Sequence, residues 1–170
     1  VQWLPTWRGR LLDRRGRILA TDEPTFDVAV PWDVVTGDRA NAMARRDASE
    51  AIGADAWAAL SPEERASAVD LHLDARRDRL DAFWNQLASL GAISRDTLDR
   101  RLDVIRGQVQ RTAASYWVRQ EDAHRARFGI DTDWSPGPIR EQRDVHVVLP
   151  RVDDQMAMRC RMLGQEQDGW

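Results

Sequence analysis

Two short segments of the chain alternate between apolar and polar residues, a pattern typical of half-buried β-strands. They are residues 25–30 and residues 144–149. A lone two-stranded hairpin is only marginally stable in water, so we predict that both strands lie in one sheet, although more than a hundred residues separate them. The apolar residues on the predicted inner face are Phe26, Val28 and Val30 in the first strand and Val145, Val147 and Leu149 in the second.

Between these strands, apolar residues recur at helical spacing over two long stretches. Ser61, Pro62 and Glu64 form a helix start, because serine can cap, proline suits the first turn and glutamate completes a capping box. Gly91 is expected to end this helix and Ser94 to cap the next. The repeated apolar positions are Val69, Leu73, Leu80, Phe83, Leu87 and Leu90, then Leu98, Leu102, Ile105, Val109 and Tyr116.

Two long helices joined by about four residues must run antiparallel, so residues 62–129 are predicted to form a helical hairpin. Each helix would be on the order of 40–50 Å long. We predict that this hairpin projects from the strands as a partner-docking arm; the alternative is that it folds back and covers the sheet. Its predicted seam consists of Leu73, Leu80, Leu87, Leu98, Leu102, Ile105 and Val109.

These elements together predict an α+β fold, with a small, mainly antiparallel β base and a long antiparallel helical hairpin insertion. A short helix is expected over residues 38–52, and Asp153 or Asp154 is expected to cap a final helix. The chain divides into three parts: residues 1–60 with the first strands and the short helix, residues 61–129 with the hairpin, and residues 130–170 with the returning strand and the last helix.

Composition narrows the chemistry available to the chain. Its 170 residues include 25 basic ones, all of them arginine, so lysine is absent. Schiff-base lysines, phosphate-binding-loop lysines and serine–lysine acyl transfer are therefore excluded within this chain. The net charge of −3 shows that acidic residues offset the arginines, whereas a nucleic-acid binder usually carries a net basic surface. The arginines of the second hairpin helix are interpreted as a solvated face.

Metal and cofactor sites are not predicted. Cys160 is the only cysteine, so it can form neither an internal disulfide nor a cysteine zinc site, and its apolar surroundings favour a small buried residue. His72, His124 and His146 lie far apart in the sequence. Glu121, Asp122 and His124 could in principle hold a metal ion, but a solvated helical turn is the simpler interpretation.

Residues 8–20 read Arg-Gly-Arg-Leu-Leu-Asp-Arg-Arg-Gly-Arg-Ile-Leu-Ala, which predicts strand, turn and strand, with Gly16 at the turn. This segment resembles the opening motif of class B penicillin-binding proteins, R-G-x-I-x-D-R-x-G-x-x-L-A. Leu11 stands where isoleucine is usual, and Arg15 where asparagine is common. Adjacent strand residues point to opposite faces, so Asp13 and Arg14 are each expected to pair with other strands or another domain. The matching residues are Arg8, Gly9, Asp13, Arg14, Gly16, Leu19 and Ala20.

The resemblance implies a non-catalytic pedestal, or dimerisation, module of an elongation-type peptidoglycan D,D-transpeptidase at the periplasmic face of the inner membrane. The acylating domain would lie downstream of Trp170 in the same chain. In this family the motif follows a membrane anchor, so the resemblance implies an anchor upstream of Val1. No apolar run within the chain itself is long enough to span a bilayer. The implied partners are that downstream transpeptidase domain, a SEDS-type glycosyltransferase and scaffold proteins of wall synthesis. No cofactor and no nucleic acid are implied.

Two readings from other classes stay open at this point. The first is a stand-alone helical-hairpin adaptor on a small β base, and the second is an arginine-rich nucleic-acid binder. The parent reading frame would separate the first from the pedestal module, and a salt-dependent binding measurement would test the second.

Overall fold

A computed structural model describes residues 11–20, 25–129 and 133–166. Their fold is α+β, as predicted, with long helices and two small antiparallel sheets. In chain order the elements are β1 Leu11–Leu12, β2 Ile18–Ala20, β3 Phe26–Pro31, α1 Trp32–Thr36, α2 Asp38–Ile52, α3 Ala54–Ala59, α4 Pro62–Leu90, α5 Arg95–Phe128, a 3-10 turn Arg140–Gln142, β4 Val145–Val152 and α6 Asp154–Glu166.

The helix starts follow the predicted capping chemistry. The Ser61 side chain accepts a hydrogen bond from the Glu64 N–H, and the Glu64 carboxylate accepts one from the Ser61 N–H. The Ser94 side chain accepts from the Thr97 N–H at the start of α5. These bonds satisfy amides that a helix cannot pair within itself, which fixes where α4 and α5 begin.

Strands β3 and β4 pair antiparallel in one sheet, as predicted across more than a hundred residues. The predicted inner face of β4 is wrong, however. Val28 pairs with Leu149, but the next residue of β3 pairs with Val147, so Val148 is an extra residue in a bulge. The bulge breaks the alternation: Val148 and Leu149 are both buried, whereas Val145 and Val147 are 62% and 45% exposed.

Helix α4 makes its most extensive helix contact with α2. The face of α2 that becomes buried is a stripe of alanines, Ala40, Ala44 and Ala48, spaced four residues apart. Small side chains allow two helix backbones to approach closely. Arg76 of α4 joins Asp47 of α2 by two hydrogen bonds of 2.6 Å.

The connection between α4 and α5 lies against the sheet. A Cβ atom built on Gly91 would be 2.9 Å from both methyl carbons of Leu149 in β4. Gly91 ends α4 as predicted, but its φ of −73° is accessible to any residue, and it is Ala92 that takes a positive φ of 49°. Glycine is therefore required here for close packing rather than for backbone conformation.

The prediction that the helical hairpin projects as an independent arm is wrong. The predicted seam residues Leu87, Leu98, Leu102 and Val109 are buried, but in a cluster that the two helices share with the sheet rather than in a seam of their own. Near the 91–94 connection both helices contribute to this cluster. This is the alternative arrangement, in which the hairpin covers the sheet. The cluster includes Val30, Val35, Phe83, Trp84, Leu87, Leu98, Leu102, Val148, Leu149 and Leu163.

Helix α5 continues this cluster through Val109 and Ala113, and Trp117 packs against it. Trp117 is half-buried, and its indole Nε1 donates a 2.8 Å hydrogen bond to the carbonyl of Gly137 in the returning segment. The chain then comes back to the core at Ile139, which is 5% exposed. The returning segment thus runs alongside α5 and delivers the chain to β4.

Candidate docking surfaces

The β1–β2 hairpin contains the described part of the sequence motif. The Asp13 carboxylate accepts hydrogen bonds from the N–H groups of Arg15 and Arg17 at 2.8 and 2.9 Å. It also pairs with the Arg17 guanidinium at 2.7 Å. Gly16 takes a φ of 75°, the left-handed conformation that glycine adopts readily. Asp13 and Gly16 therefore build the turn between the two strands.

Within the described chain Asp13 does not pair with another strand, as one of the two expectations had it; its partners lie inside its own turn. The carboxylate leaves the strand register after Leu12 and folds over the following amides, as aspartate does in turns. Hydrogen bonds from the Arg17 backbone and side chain lower the pKa of Asp13. The turn consequently keeps an ionised carboxylate under ordinary conditions.

The other motif residues are distributed around this turn. Arg14 is exposed at the turn, and Ala20 pairs with Leu11 across the two strands. Arg8 and Gly9 lie outside the described residues. The motif positions in the described chain thus form one local hairpin, with Leu19 on its surface.

The β1–β2 hairpin leaves its large aliphatic side chains open. Leu11, Leu12, Ile18 and Leu19 are 54–69% exposed. Neighbouring residues of a strand point to opposite faces, so both faces of the hairpin carry apolar surface. Among the described strands, β1 and β2 pair only with each other. Because an isolated hairpin of this kind is marginal in water, this surface favours a covering partner.

A second open surface is a groove beside β3, hereafter the β3 groove. It encloses about 560 Å³ and touches every residue of β3. Its opposite wall is formed by Phe83 and Leu87 of α4 and by Ala157 and Cys160 of α6. The groove is mainly apolar, and burial raises the pKa of the Cys160 thiol, which keeps that side chain neutral.

Charged groups stand at the rim of the β3 groove. Arg39 pairs with Asp33 at 2.9 Å, so its charge is already matched. The Asp27 carboxylate accepts a 2.9 Å hydrogen bond from the N–H of Arg151. Arg161 is exposed on α6 and forms no ion pair within the described part of the chain. It is the cation at this rim that is left for an outside partner.

Several arginines predicted to form a solvated face hold the fold together. Arg106 of α5 donates from Nε and Nη2 to the Val35 carbonyl, at 2.9 and 2.7 Å. Arg101 donates from Nη1 to the Val148 carbonyl at 3.1 Å. Arg95 pairs with Asp81 of α4 at 2.8 Å. These contacts bind α5 to α1, β4 and α4, so the solvated-face interpretation is wrong for these three arginines.

No metal-binding group of three or more histidine, cysteine, aspartate or glutamate side chains occurs within residues 11–20, 25–129 and 133–166. His146 instead contacts the Glu141 carbonyl at 2.8 Å and the ring of Trp32. In the same described ranges, none of the helices has both the length and the apolar character needed to cross a bilayer.

The turn residues of the hairpin were predicted from the sequence, whereas neither open surface was. A signal for the first was present: Leu11 with Leu12, and Ile18 with Leu19, place apolar side chains on both faces of two short strands. The β3 groove left no such signal, because it arises where α4 and α6 come together beside β3. Comparisons with protein-family models, with curated proteins and with solved structures gave no match to this chain.

Proposed function

We propose that this chain is the non-catalytic pedestal module of a class B penicillin-binding protein, a peptidoglycan D,D-transpeptidase of the elongation type. The observation that carries the proposal is the β1–β2 hairpin. Its motif residues Asp13 and Gly16 have a defined task in the turn, and its aliphatic side chains form an open surface suited to a partner. The proposal thus joins a sequence resemblance to a physical role for the residues that match.

In this proposal the module works by position rather than by chemistry. It sits at the periplasmic face of the inner membrane, holds a downstream transpeptidase domain above the bilayer and docks other proteins of wall synthesis. A SEDS-type glycosyltransferase and scaffold proteins are the proposed partners. Without lysine the chain cannot provide the base of a Ser-x-x-Lys acylation site, so acyl transfer belongs to the parent's other domain.

A fluorescent penicillin provides the first test. The purified chain and the product of its full parent reading frame are incubated separately with the label, denatured and compared on a gel. We expect a stoichiometric covalent label on the parent and none on the chain. Label on the chain itself, or a parent that has no Ser-x-x-Lys and takes no label, overturns the proposal; the second result favours a stand-alone adaptor.

A second test asks whether the β1–β2 hairpin is a docking surface in the parent. Leu12→Asp and Leu19→Asp each place a charge on one of its open apolar faces. Leu71→Asp is the matched control, because Leu71 is 84% exposed on α4, far from the motif in sequence. We expect all three parents to take the penicillin label, while the two hairpin variants lose co-purification with the glycosyltransferase. Equal co-purification of all three contradicts the docking role.

A further inference from the structure

We propose that the β3 groove binds an extended segment of another protein, which adds to β3 as a third strand of the β3–β4 sheet. This inference goes beyond the pedestal function and does not depend on it. It rests on where the groove lies, on the chemistry of its walls and on the cation at its rim.

The residues that line the groove show that it runs along an edge of β3. Successive side chains of a strand point to opposite faces, so a cavity over one face is lined by the side chains of every second residue. This groove touches all six residues of β3, Phe26–Pro31. It therefore runs along the side of the strand. In the described part of the chain β3 pairs only with β4, which leaves its other edge with backbone groups that a further strand can pair.

The walls specify the occupant. Phe83, Leu87 and Ala157 form an apolar surface opposite the strand edge. An added strand presents alternate side chains to this surface, so we infer a segment with apolar residues at every second position. Arg161 at the rim favours a carboxylate in the same segment.

Two other occupants fit these features less well. A second copy would offer its own β3 edge, but that edge also lies inside a groove walled by α4 and α6, which keeps two such edges apart. A small apolar ligand suits the volume of about 560 Å³ but leaves the β3 amides and carbonyls unpaired. An extended polypeptide both fills the groove and forms backbone hydrogen bonds with the free edge of β3, which is why the observations favour it.

The test begins with a displayed library of random peptides of about ten residues, long enough to span β3. The library is selected against the whole chain, and the enriched peptides are synthesised. We expect alternating apolar residues with an acidic residue near one end. Titration calorimetry then gives the affinity for the chain and for variants. Ala157→Phe fills the groove and is expected to weaken binding about tenfold or more.

Arg161→Glu tests the rim charge, and Arg159→Glu is its matched control, since Arg159 is exposed on the same helix and does not line the groove. We expect Arg161→Glu to weaken binding several-fold and the control to leave it unchanged.

A version of the peptide N-methylated at four consecutive residues keeps its side chains but cannot pair through either edge. We expect that peptide not to bind.

Three results overturn the proposal: no enriched sequence, enriched peptides whose affinity neither Ala157→Phe nor Arg161→Glu changes, or equal binding of the N-methylated peptide. The last result means that the groove takes apolar groups without strand pairing. If circular dichroism shows that Ala157→Phe is unfolded, the proposal is decided by the comparison of Arg161→Glu with Arg159→Glu and by the N-methylated peptide.

Discussion

Gly91 and Leu149 pack so closely that a methyl group added to the glycine has no room. The added carbon would lie 2.9 Å from both Leu149 methyl carbons and 3.3 Å from the Leu87 carbonyl oxygen. Leu149 is 3% exposed, so its side chain cannot move out into solvent. This contact joins the α4–α5 connection to the bulged strand β4.

Gly91→Ala is therefore expected to destabilise the chain by about 1–3 kcal/mol, the usual cost of overpacking a core. Urea unfolding followed by circular dichroism measures the change. Gly107→Ala in the interior of α5 is the control, since its new carbon would meet only the flexible end of Arg111. The control should be neutral or gain up to about 1 kcal/mol from helix propensity. Equal stability of the Gly91 variant and the native chain would show that the contact is looser than described.

The ion pair between Asp47 and Arg76 should make a measurable contribution to stability. Their side chains are 26% and 11% exposed and share two 2.6 Å hydrogen bonds. Asp47→Asn is expected to cost about 1–2 kcal/mol near neutral pH, after allowance for solvent screening. Asp74→Asn is the control, because Asp74 is 91% exposed and lies 3.7 Å from Arg77.

The same pair gives the stability a defined dependence on pH. Hydrogen bonds from Arg76 lower the pKa of Asp47 below its ordinary 3.8. A lowered folded-state pKa stabilises the fold above the unfolded-state pKa, and this stabilisation is lost as the pH falls through the folded-state value. The stability difference between the native chain and Asp47→Asn should thus be constant near neutrality and shrink in acid. A difference that grows in acid would contradict this assignment.

Phe26 and Leu87 should respond very differently to truncation. If Phe26 were fully buried, Phe26→Ala would lower the free energy of unfolding by roughly 3–5 kcal/mol. The structure leaves Phe26 42% exposed beside the β3 groove, so Phe26→Ala is expected to cost only about 1 kcal/mol. Leu87 is 1% exposed in the central cluster, and Leu87→Ala should cost about 2–5 kcal/mol. Thermal unfolding of both variants measures the contrast, and similar losses would refute it.

Replacing residues 63–127 by a short Gly/Ser linker is expected to unfold the remaining chain. The deletion removes Phe83, Leu87 and Leu98 from the cluster that covers the sheet residues Val30 and Val148. Val118→Asp in the full chain is the control, since Val118 is 58% exposed in the far half of α5 and should tolerate a charge. A deletion variant with protected amides in β3 and β4 by hydrogen exchange would show that the sheet folds without the helices.

Local chemistry made part of this fold predictable. Ser61 and Ser94 cap helices by accepting hydrogen bonds from nearby residues, and Gly16 forms a turn through its own backbone conformation. Because these interactions are local, the sequence alone predicts them. The bulge at Val148 and the close approach at Gly91 depend on residues distant in the chain, and no local pattern records them. For the same reason the hairpin turn was predicted, whereas the β3 groove, which needs three elements in place, was not.

The pairing of β3 with β4 also sets an order of events during synthesis. β3 emerges from the ribosome long before β4, with α4 and α5 between them. Until β4 arrives, both edges of β3 lack their strand partner and the inner face of the sheet is incomplete. Late long-range pairing of this kind slows folding and leaves open edges that can associate with other chains. A nascent chain halted before Val145 should therefore depend on a holding chaperone.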